Sequence, residues 1–242
     1  SVHLVLDGRK AALRALLAAF PASATQGDAE LALAFATARL YDGLLEESGT
    51  HIAAAERLAA TVPDARRRLF DLRLASARLW RACQRGDLAT ARQAMGSFDA
   101  QTEGELAHSN DHRASALMNL GIAELWSLQL DEARRDLEGA LALARPIGRP
   151  YLEVGCLGHL ALAAVLGSSL NVGLGLSEEA VTIAEAHGWG THRILAPAVA
   201  AATGALAWLG RFDDAERWLE RVVRSPVAEL ETVAEVGPVA EF

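Results

Sequence analysis

Apolar residues recur along most of the chain at positions i, i+3, i+4 and i+7, the spacing that places them on one face of an α-helix. Proline and glycine are concentrated between these periodic segments, and no segment has the alternation that is typical of a strand. The pattern predicts helices over residues 9–19, 29–42, 46–61, 63–84, 88–98, 112–127, 130–145, 150–166, 172–187, 192–209, 212–224 and 227–235.

Residues that begin and end helices support these boundaries. Short polar residues that can cap a helix N-terminus precede three of the segments: Asp111, Asn171 and Thr191. Glycines stand where a helix C-terminus favours a left-handed residue: Gly86, Gly148, Gly188 and Gly210. The segments between these signals alternate as pairs of helices.

The second helix of each pair repeats one motif, a small residue followed four and seven residues later by further residues of one packing face. The clearest copy consists of Ala133, Leu137 and Ala140. The small residue, which we call the anchor, is in successive pairs Ser48, Ala91, Ala133, Gly173 and Ala215. Successive anchors are 43, 42, 40 and 42 residues apart. A near-constant step with two helices per unit is typical of a solenoid, whose units bury their apolar faces by stacking on their neighbours.

The sequence therefore predicts an all-α fold, a right-handed superhelix of antiparallel helix pairs with a repeat of about 40–43 residues. Leu120 and Gly121 precede the anchor Ala133 as in a tetratricopeptide (TPR) repeat, so we expect a TPR-like α-solenoid, with HEAT-like stacking as the alternative. We expect residues 1–242 to form a single domain. Because the chain begins at Ser1 and its last predicted helix has no partner, we expect it to be a fragment of a larger multidomain protein.

Composition narrows the classes of partner. Hydrophobic residues make up 51% of the chain, enough for a sizeable core. The net charge is −8, from 31 acidic and 23 basic residues, so we expect no direct contact with nucleic acid. No apolar stretch reaches the roughly 20 residues that a membrane helix needs. Cys83 and Cys156 form no CxxC pair, which favours a reducing cytoplasm over a secreted, disulfide-linked chain.

Three segments carry a resemblance to a known family that spans nearly the whole chain. Residues 8–21 read GRKAALRALLAAFP, and the repeat units contain ALALA at 140–144 and FDDAERWL at 212–219. These segments resemble the helical-repeat domain of MalT-like transcriptional regulators of the LuxR family. The resemblance implies a domain that lies between an ATP-binding switch module and a LuxR-type helix-turn-helix. It would bind a small-molecule effector or a regulatory protein and support self-association. The alternative is a general TPR-like protein-interaction scaffold unconnected to transcription.

Sequence motifs for catalysis or cofactor binding are missing. Lys10 is the only lysine, which excludes a phosphate-binding P-loop, and there is no GxSxG, HExxH or calcium-loop pattern. We therefore expect no enzyme activity, no catalytic residue and no cofactor or metal in this segment. His108 and His112 have the i, i+4 spacing of two metal ligands, but no third ligand is evident, and residues 109–111 are more typical of a turn that ends in the N-cap Asp111. The GLG at 173–175 is interpreted as helix packing.

A ligand-binding surface is expected on the first helices of the pairs, because these line the concave face of TPR-like repeats. Seven residues before the anchors stand Tyr41, Gln84, Trp126, Leu166 and Trp208. The predicted concave-face residues combine aromatic rings with polar groups: Tyr41, Arg73, Ser76, Trp80, Gln84, Ser115, Met118, Trp126 and Trp208. Arg73 and Trp80 lie two turns apart on one helix face. The alternative is that the rings belong to the core between repeats.

Overall fold

The computed structural model describes Leu4, Asp7 and residues 9–102 and 109–223, and the chain divides into two compact units, Ser1–Leu120 and Gly121–Phe242. Every regular element among the described residues is helical. The α-helices are α1 Lys10–Ala18, α2 Ala29–Tyr41, α3 Leu45–Arg57, α4 Asp64–Gln84, α5 Leu88–Thr102, α6 Ser109–Trp126, α7 Leu130–Ala144, α8 Pro150–Leu166, α9 Leu170–Ala186, α10 Ala196–Trp208 and α11 Phe212–Val223. Short 3₁₀ helices span Ala22–Gln26, Ala59–Thr61 and Arg193–Leu195.

The predicted all-α fold of antiparallel helix pairs is confirmed. In the first unit, α2 packs against α3 and α4 packs against α5, while α1 packs against α2. In the second unit, α7 packs against α8, α8 against α9, and α10 against α11. Each unit has its own apolar core, built in the first around Leu40 and Phe70 and in the second around Leu125 and Ala163. No helix among the described residues is both long and apolar enough to span a membrane.

The anchors are buried in every second helix. Ser48, Ala91, Ala133 and Ala215 are buried, as is Gly173. The residues four and seven positions later are buried in the first four copies, for example Ile52 and Ala55, whereas Leu219 of α11 is 49% exposed. The buried hydroxyl of Ser48 donates a hydrogen bond to the carbonyl of Leu45 at 2.8 Å, so it adds no unsatisfied group to the core.

Glycine at two positions allows paired helices to approach within backbone contact. A Cβ on Gly173 would lie 2.4 Å from Cγ2 of Val165 and 3.0 Å from the carbonyl oxygen of Ala161, both on α8. A Cβ on Gly121 would lie 2.7 Å from Cγ of Leu137. The interpretation of residues 173–175 as a packing motif is therefore correct for Gly173 alone. Gly175 is exposed, and a Cβ added to it would have no neighbouring atom within 4 Å.

The turn inside each helix pair has a common geometry. Five residues before each anchor the backbone is left-handed, with φ of 71°, 69°, 58°, 66° and 72° at Gly43, Gly86, Leu128, Ser168 and Gly210. The amide of the next residue donates to the carbonyl five residues back, as in Asp87 N–H to Ala82 O at 3.0 Å, which is a Schellman closure. The left-handed glycines predicted between pairs, Gly148 and Gly188, are confirmed with φ of 66° and 75°.

The helix starts differ from the sequence predictions. Each second helix begins three residues before its anchor, at Leu or Phe, so the predicted N-cap Asn171 lies inside α9. Asp111 is likewise wrong as an N-cap, because α6 begins at Ser109 and Asp111 lies in its first turn. Near Thr191 the capping residue is His192, whose ring Nδ1 accepts from the amide of Ile194 at 3.2 Å. The helix predicted over 227–235 lies outside the described residues.

The two left-handed residues that are not glycine store backbone strain. A non-glycine residue in this conformation costs roughly 1–2 kcal/mol, of which the greater flexibility of unfolded glycine takes back about 0.5–1 kcal/mol. Because the Leu128 side chain is 72% exposed, Leu128→Gly loses little packing and should raise the free energy of unfolding by about 0.5–1 kcal/mol. Urea denaturation followed by circular dichroism measures it. Gly86→Ala, at the same turn position of another repeat, should lower the free energy of unfolding. If both substitutions change the free energy of unfolding in the same direction, this account is wrong.

A matched pair in α9 tests the close approach of helices. Gly173→Ala adds a methyl group where Val165 and a backbone carbonyl already stand, so it should lower the free energy of unfolding by about 1–2 kcal/mol despite alanine's higher helix propensity. Gly175→Ala, two residues later on the exposed side, should raise it by about 0.5–1 kcal/mol. The same denaturation experiment compares them, and a stabilising Gly173→Ala would refute the packing role.

Candidate functional site

Three first helices of the repeats, α2, α4 and the beginning of α6, line a cleft of about 60 Å³ within the first unit. Its walls combine apolar and polar side chains, and they are formed by Glu30, Leu33, Ala34, Thr37, Phe70, Arg73, Ser76, Ala77, Trp80, His112, Ser115, Ala116 and Asn119. The lining follows the repeat register, since the residues 18 positions before three successive anchors are Glu30, Arg73 and Ser115. One surface of the repeat therefore presents an acid, a base and a hydroxyl side by side.

Arg73 is the cation of this cleft. Its Nε atom is buried and has no hydrogen-bond partner, and within the part of the chain that the structure describes the residue forms no ion pair. Burial lowers the pKa of the Arg73 guanidinium, and the nearby Glu30 carboxylate offsets part of this effect. Glu30 does not neutralise Arg73 directly, because its Oε2 lies 2.6 Å from Nη1 of Arg66. An arginine stays charged at neutral pH, so the cleft holds a positive charge that is close to Glu30 but has no direct ion-pair partner.

Polar groups of α4 and α6 surround this cation. The hydroxyl of Ser76 donates to the carbonyl of Leu72 at 2.9 Å and lies 3.2 Å from Nδ1 of the buried His112. Asn119 Nδ2 donates to the carbonyl of Ser115 at 2.8 Å and approaches its hydroxyl oxygen at 3.4 Å. Since that oxygen accepts from Asn119, the hydroxyl hydrogen of Ser115 remains available to a ligand.

Trp80 forms the aromatic wall and also joins the core. Its ring packs edge-on against Tyr41, with ring centroids 5.1 Å apart and an interplanar angle of 87°. Trp80 is only partly buried against the apolar clusters of the first unit, so one side of the ring faces the cleft. Gln84, the last residue of α4, donates from Nε2 to the carbonyl of Leu40 at 3.2 Å, and its buried Oε1 has no partner.

The structure brings together four of the predicted concave-face residues, Arg73, Ser76, Trp80 and Ser115. Others lie elsewhere. In the first unit Tyr41, Gln84 and Met118 do not line the cleft. In the second unit Trp126 is the last, partly exposed residue of α6, and Trp208 ends α10 with its side chain 83% exposed. The row seven residues before the anchors thus marks the ends of the first helices.

Sequence reasoning missed four polar or charged lining residues, which are Glu30, Thr37, His112 and Asn119. The signal that identifies Glu30 is present in the sequence, because it has the same offset from its anchor as Arg73. Thr37 shares the offset of Trp80 in the same way. His112 was considered only as a metal ligand. Its candidate partner His108 lies outside the described residues, and among those described no cluster of three or more His, Cys, Asp or Glu side chains could hold a metal ion.

Comparison with known proteins identifies the fold. No protein-family model matches the sequence, and no curated protein is similar to it. Among solved structures, the chain resembles a Rap protein complexed with Competence and Sporulation Factor, with a TM-score of 0.62 and 17% identity over 84% of this chain and 55% of that chain. It also resembles a kinesin-light-chain-like protein of Podosopora anserina with nearly identical TPR-like repeats, with a TM-score of 0.56 and 18% identity over 83% of this chain and 95% of that chain.

These similarities place the chain among TPR-like helical repeat structures. Both neighbours are less than 20% identical to it, so they identify the fold and not the ligand. The chain spans about half of the length of the Rap protein, since it covers 55% of that chain.

The unpartnered Nε of Arg73 predicts that a neutral substitution at this position does not destabilise the fold. A buried donor without a partner costs about 1–3 kcal/mol, and Arg73→Met removes that donor while keeping an apolar stem of similar length. We expect the free energy of unfolding to stay unchanged or to rise by about 1 kcal/mol, as urea denaturation would show. Arg81→Met serves as the control, because Nε of Arg81 donates to the carbonyl of Leu45 at 3.1 Å and its loss should be destabilising. A marked loss of stability in Arg73→Met would show that Arg73 supports the fold.

Proposed function

We propose that this chain is a non-catalytic protein-interaction domain that binds a short peptide or an extended segment of a partner protein in the cleft of its first unit. The observation that carries the proposal is the unpartnered Arg73 in a cleft beside Trp80. A repeat protein that only needed to fold would gain by replacing a half-buried arginine whose Nε makes no hydrogen bond with an apolar residue. Residues that break such a rule are expected at functional sites.

The dimensions of the cleft favour a chain-like ligand over an enclosed metabolite. Pockets that enclose drug-sized ligands measure about 300–1,000 Å³, whereas this cleft measures about 60 Å³. A single functional group can enter it while the rest of the ligand lies along α2, α4 and α6. An extended segment of a peptide or partner protein fits this geometry, in which pockets for individual side chains give specificity.

The structural comparison supports the same class of function. The Rap protein to which this chain is similar is complexed with Competence and Sporulation Factor, so a similar helical-repeat fold binds a partner. For this chain the ligand would be a small effector or a regulatory protein, and binding would shift the population of conformations toward the form with the higher affinity. Such a shift would transmit the signal to other domains or to a second copy of the chain.

A second candidate is more specific. The segments at 8–21 and 212–219 support effector sensing and oligomerisation within a MalT-like transcriptional regulator of the LuxR family. Cys83 and Cys156 are buried, and neither is in a disulfide bond among the described residues, which suits a cytoplasmic regulator. The extent of the parent reading frame tests this candidate. A P-loop module upstream together with a helix-turn-helix downstream would support it, and a frame with neither module would leave the scaffold function.

A blocked cleft tests the binding function. Ser115 lines the cleft, so Ser115→Trp should fill it with an indole ring, while Thr50→Trp adds the same ring to the exposed face of α3. Peptides are selected by phage display on the unmodified chain, and their affinities for the three proteins are measured by isothermal titration calorimetry. We expect binding at least ~10-fold weaker in Ser115→Trp, a loss of about 1.4 kcal/mol, and unchanged in Thr50→Trp. Equal affinities for both variants, or a failure to select any peptide, would refute the proposal.

A further inference from the structure

The chemistry of the cleft also indicates which group of a ligand it accepts. We propose that the cleft selects segments that place a carboxylate against Arg73, with an apolar side chain of the same segment against Trp80. This inference rests on the proposed function, because it names the chemical class of the segment that the cleft binds. The carboxylate is either the C-terminus of a peptide or an Asp or Glu side chain.

The first argument is the state of the guanidinium. Arg73 has a buried Nε without a hydrogen-bond partner, and Glu30, the acidic residue of the lining, is already in an ion pair with Arg66 at 2.6 Å. A guanidinium presents a planar fork of donors that matches the two oxygens of a carboxylate. Because that Nε is buried, a ligand carboxylate would pair with the Nη atoms of the guanidinium, on the side of Arg73 that lines the cleft.

The second argument is the arrangement of the neighbouring polar groups. Ser115 stands on α6 at the same repeat position as Arg73 on α4, and its hydroxyl hydrogen is free to donate because its oxygen accepts from Asn119. A hydroxyl donor beside a guanidinium suits a group that only accepts hydrogen bonds, as an ionised carboxylate does. A ligand cation at this point would instead face the positive charge of Arg73.

The third argument is the local charge. The chain as a whole carries −8, which would repel an anion at long range. The beginning of α4 is different, since residues 64–73 contain four arginines and two aspartates. This segment has a net charge of +2, from four arginines less two aspartates, and exposed charges farther apart than a Debye length of about 8 Å at physiological ionic strength are largely screened. The attraction of a carboxylate is thus local, and it should weaken as salt is added.

The fourth argument concerns the side chain next to the carboxylate. Trp80 lies seven residues, or two helical turns, after Arg73, so both side chains project from one face of α4. The apolar residues Leu33, Ala34 and Ala77 complete the wall around the indole ring. A segment that inserts its carboxylate at Arg73 would therefore be expected to lay an aliphatic or aromatic side chain on Trp80.

Three libraries of synthetic hexapeptides test the inference. The first has a free C-terminal carboxylate and no acidic residue. The second is amidated at the C-terminus and contains one Glu, and the third is amidated with Gln in place of that Glu. Retention on the immobilised full chain is compared with retention on Arg73→Gln and on Ser115→Trp, the variant with a filled cleft.

The expected result is at least ~10-fold stronger retention of the first or the second library than of the third, with the preference lost in Arg73→Gln. Preference for the first library would identify a C-terminal carboxylate, and preference for the second an acidic side chain. If the unmodified chain retains the third library as strongly as the first and second, the carboxylate inference is overturned, while peptide binding itself still stands. If no library is retained above the Ser115→Trp background, the proposed function itself fails.

Two measurements keep this test independent of folding. Circular dichroism compares the helix content of Arg73→Gln with that of the unmodified chain, and Arg73→Met provides a second neutral variant of similar length. Arg73→Lys retains a charge but not the fork of donors, so it should keep part of the preference for carboxylates. A preference that survives unchanged in both neutral variants would also overturn the inference.

Discussion

The close approach of two helices at a small residue is the constraint on which the rest of this structure depends. Where Gly173 meets the backbone of Ala161, or where Gly121 meets Leu137, a single additional methyl group would enter occupied space. This contact fixes how deeply the second helix of a pair sits against the first. Because a small anchor recurs at intervals of 40–43 residues, the helix pairs share nearly the same register.

The turns follow from this register. A second helix that must deliver its anchor to a fixed place can begin at only one residue, and each begins three residues earlier, at Leu45, Leu88, Leu130, Leu170 or Phe212. The chain must then reverse within three residues, which a left-handed residue with a Schellman closure achieves. Leu128 and Ser168 adopt this conformation without being glycine, so the packing of the helices outweighs the local backbone preference.

These relations explain what could be predicted from the sequence. The small anchors and the left-handed glycines could be recognised, because close packing and positive φ each demand particular residues. The N-caps predicted at Asn171 and Asp111 were wrong, because side-chain capping was assumed to set helix starts that the repeat register sets instead. Four cleft residues were found because the first helices were expected to line the concave face. Tyr41 and Gln84 were included although they end α2 and α4, and Met118 was included although it does not line the cleft. Glu30 was missed because the offset of Arg73 was not applied to the other repeats.

The repeat register gives the cleft its chemical character. It places Glu30, Arg73 and Ser115 at equivalent positions of three first helices. Glu30 pairs with Arg66, and Nε of Arg73 has no hydrogen-bond partner. A ligand that carries a hydrogen-bond acceptor therefore meets a site whose polar groups are already in place. The conformational entropy that is lost on binding is then lost by the ligand alone. Affinity then depends on how well one carboxylate and one apolar side chain fit, which makes the repeat register itself the determinant of specificity.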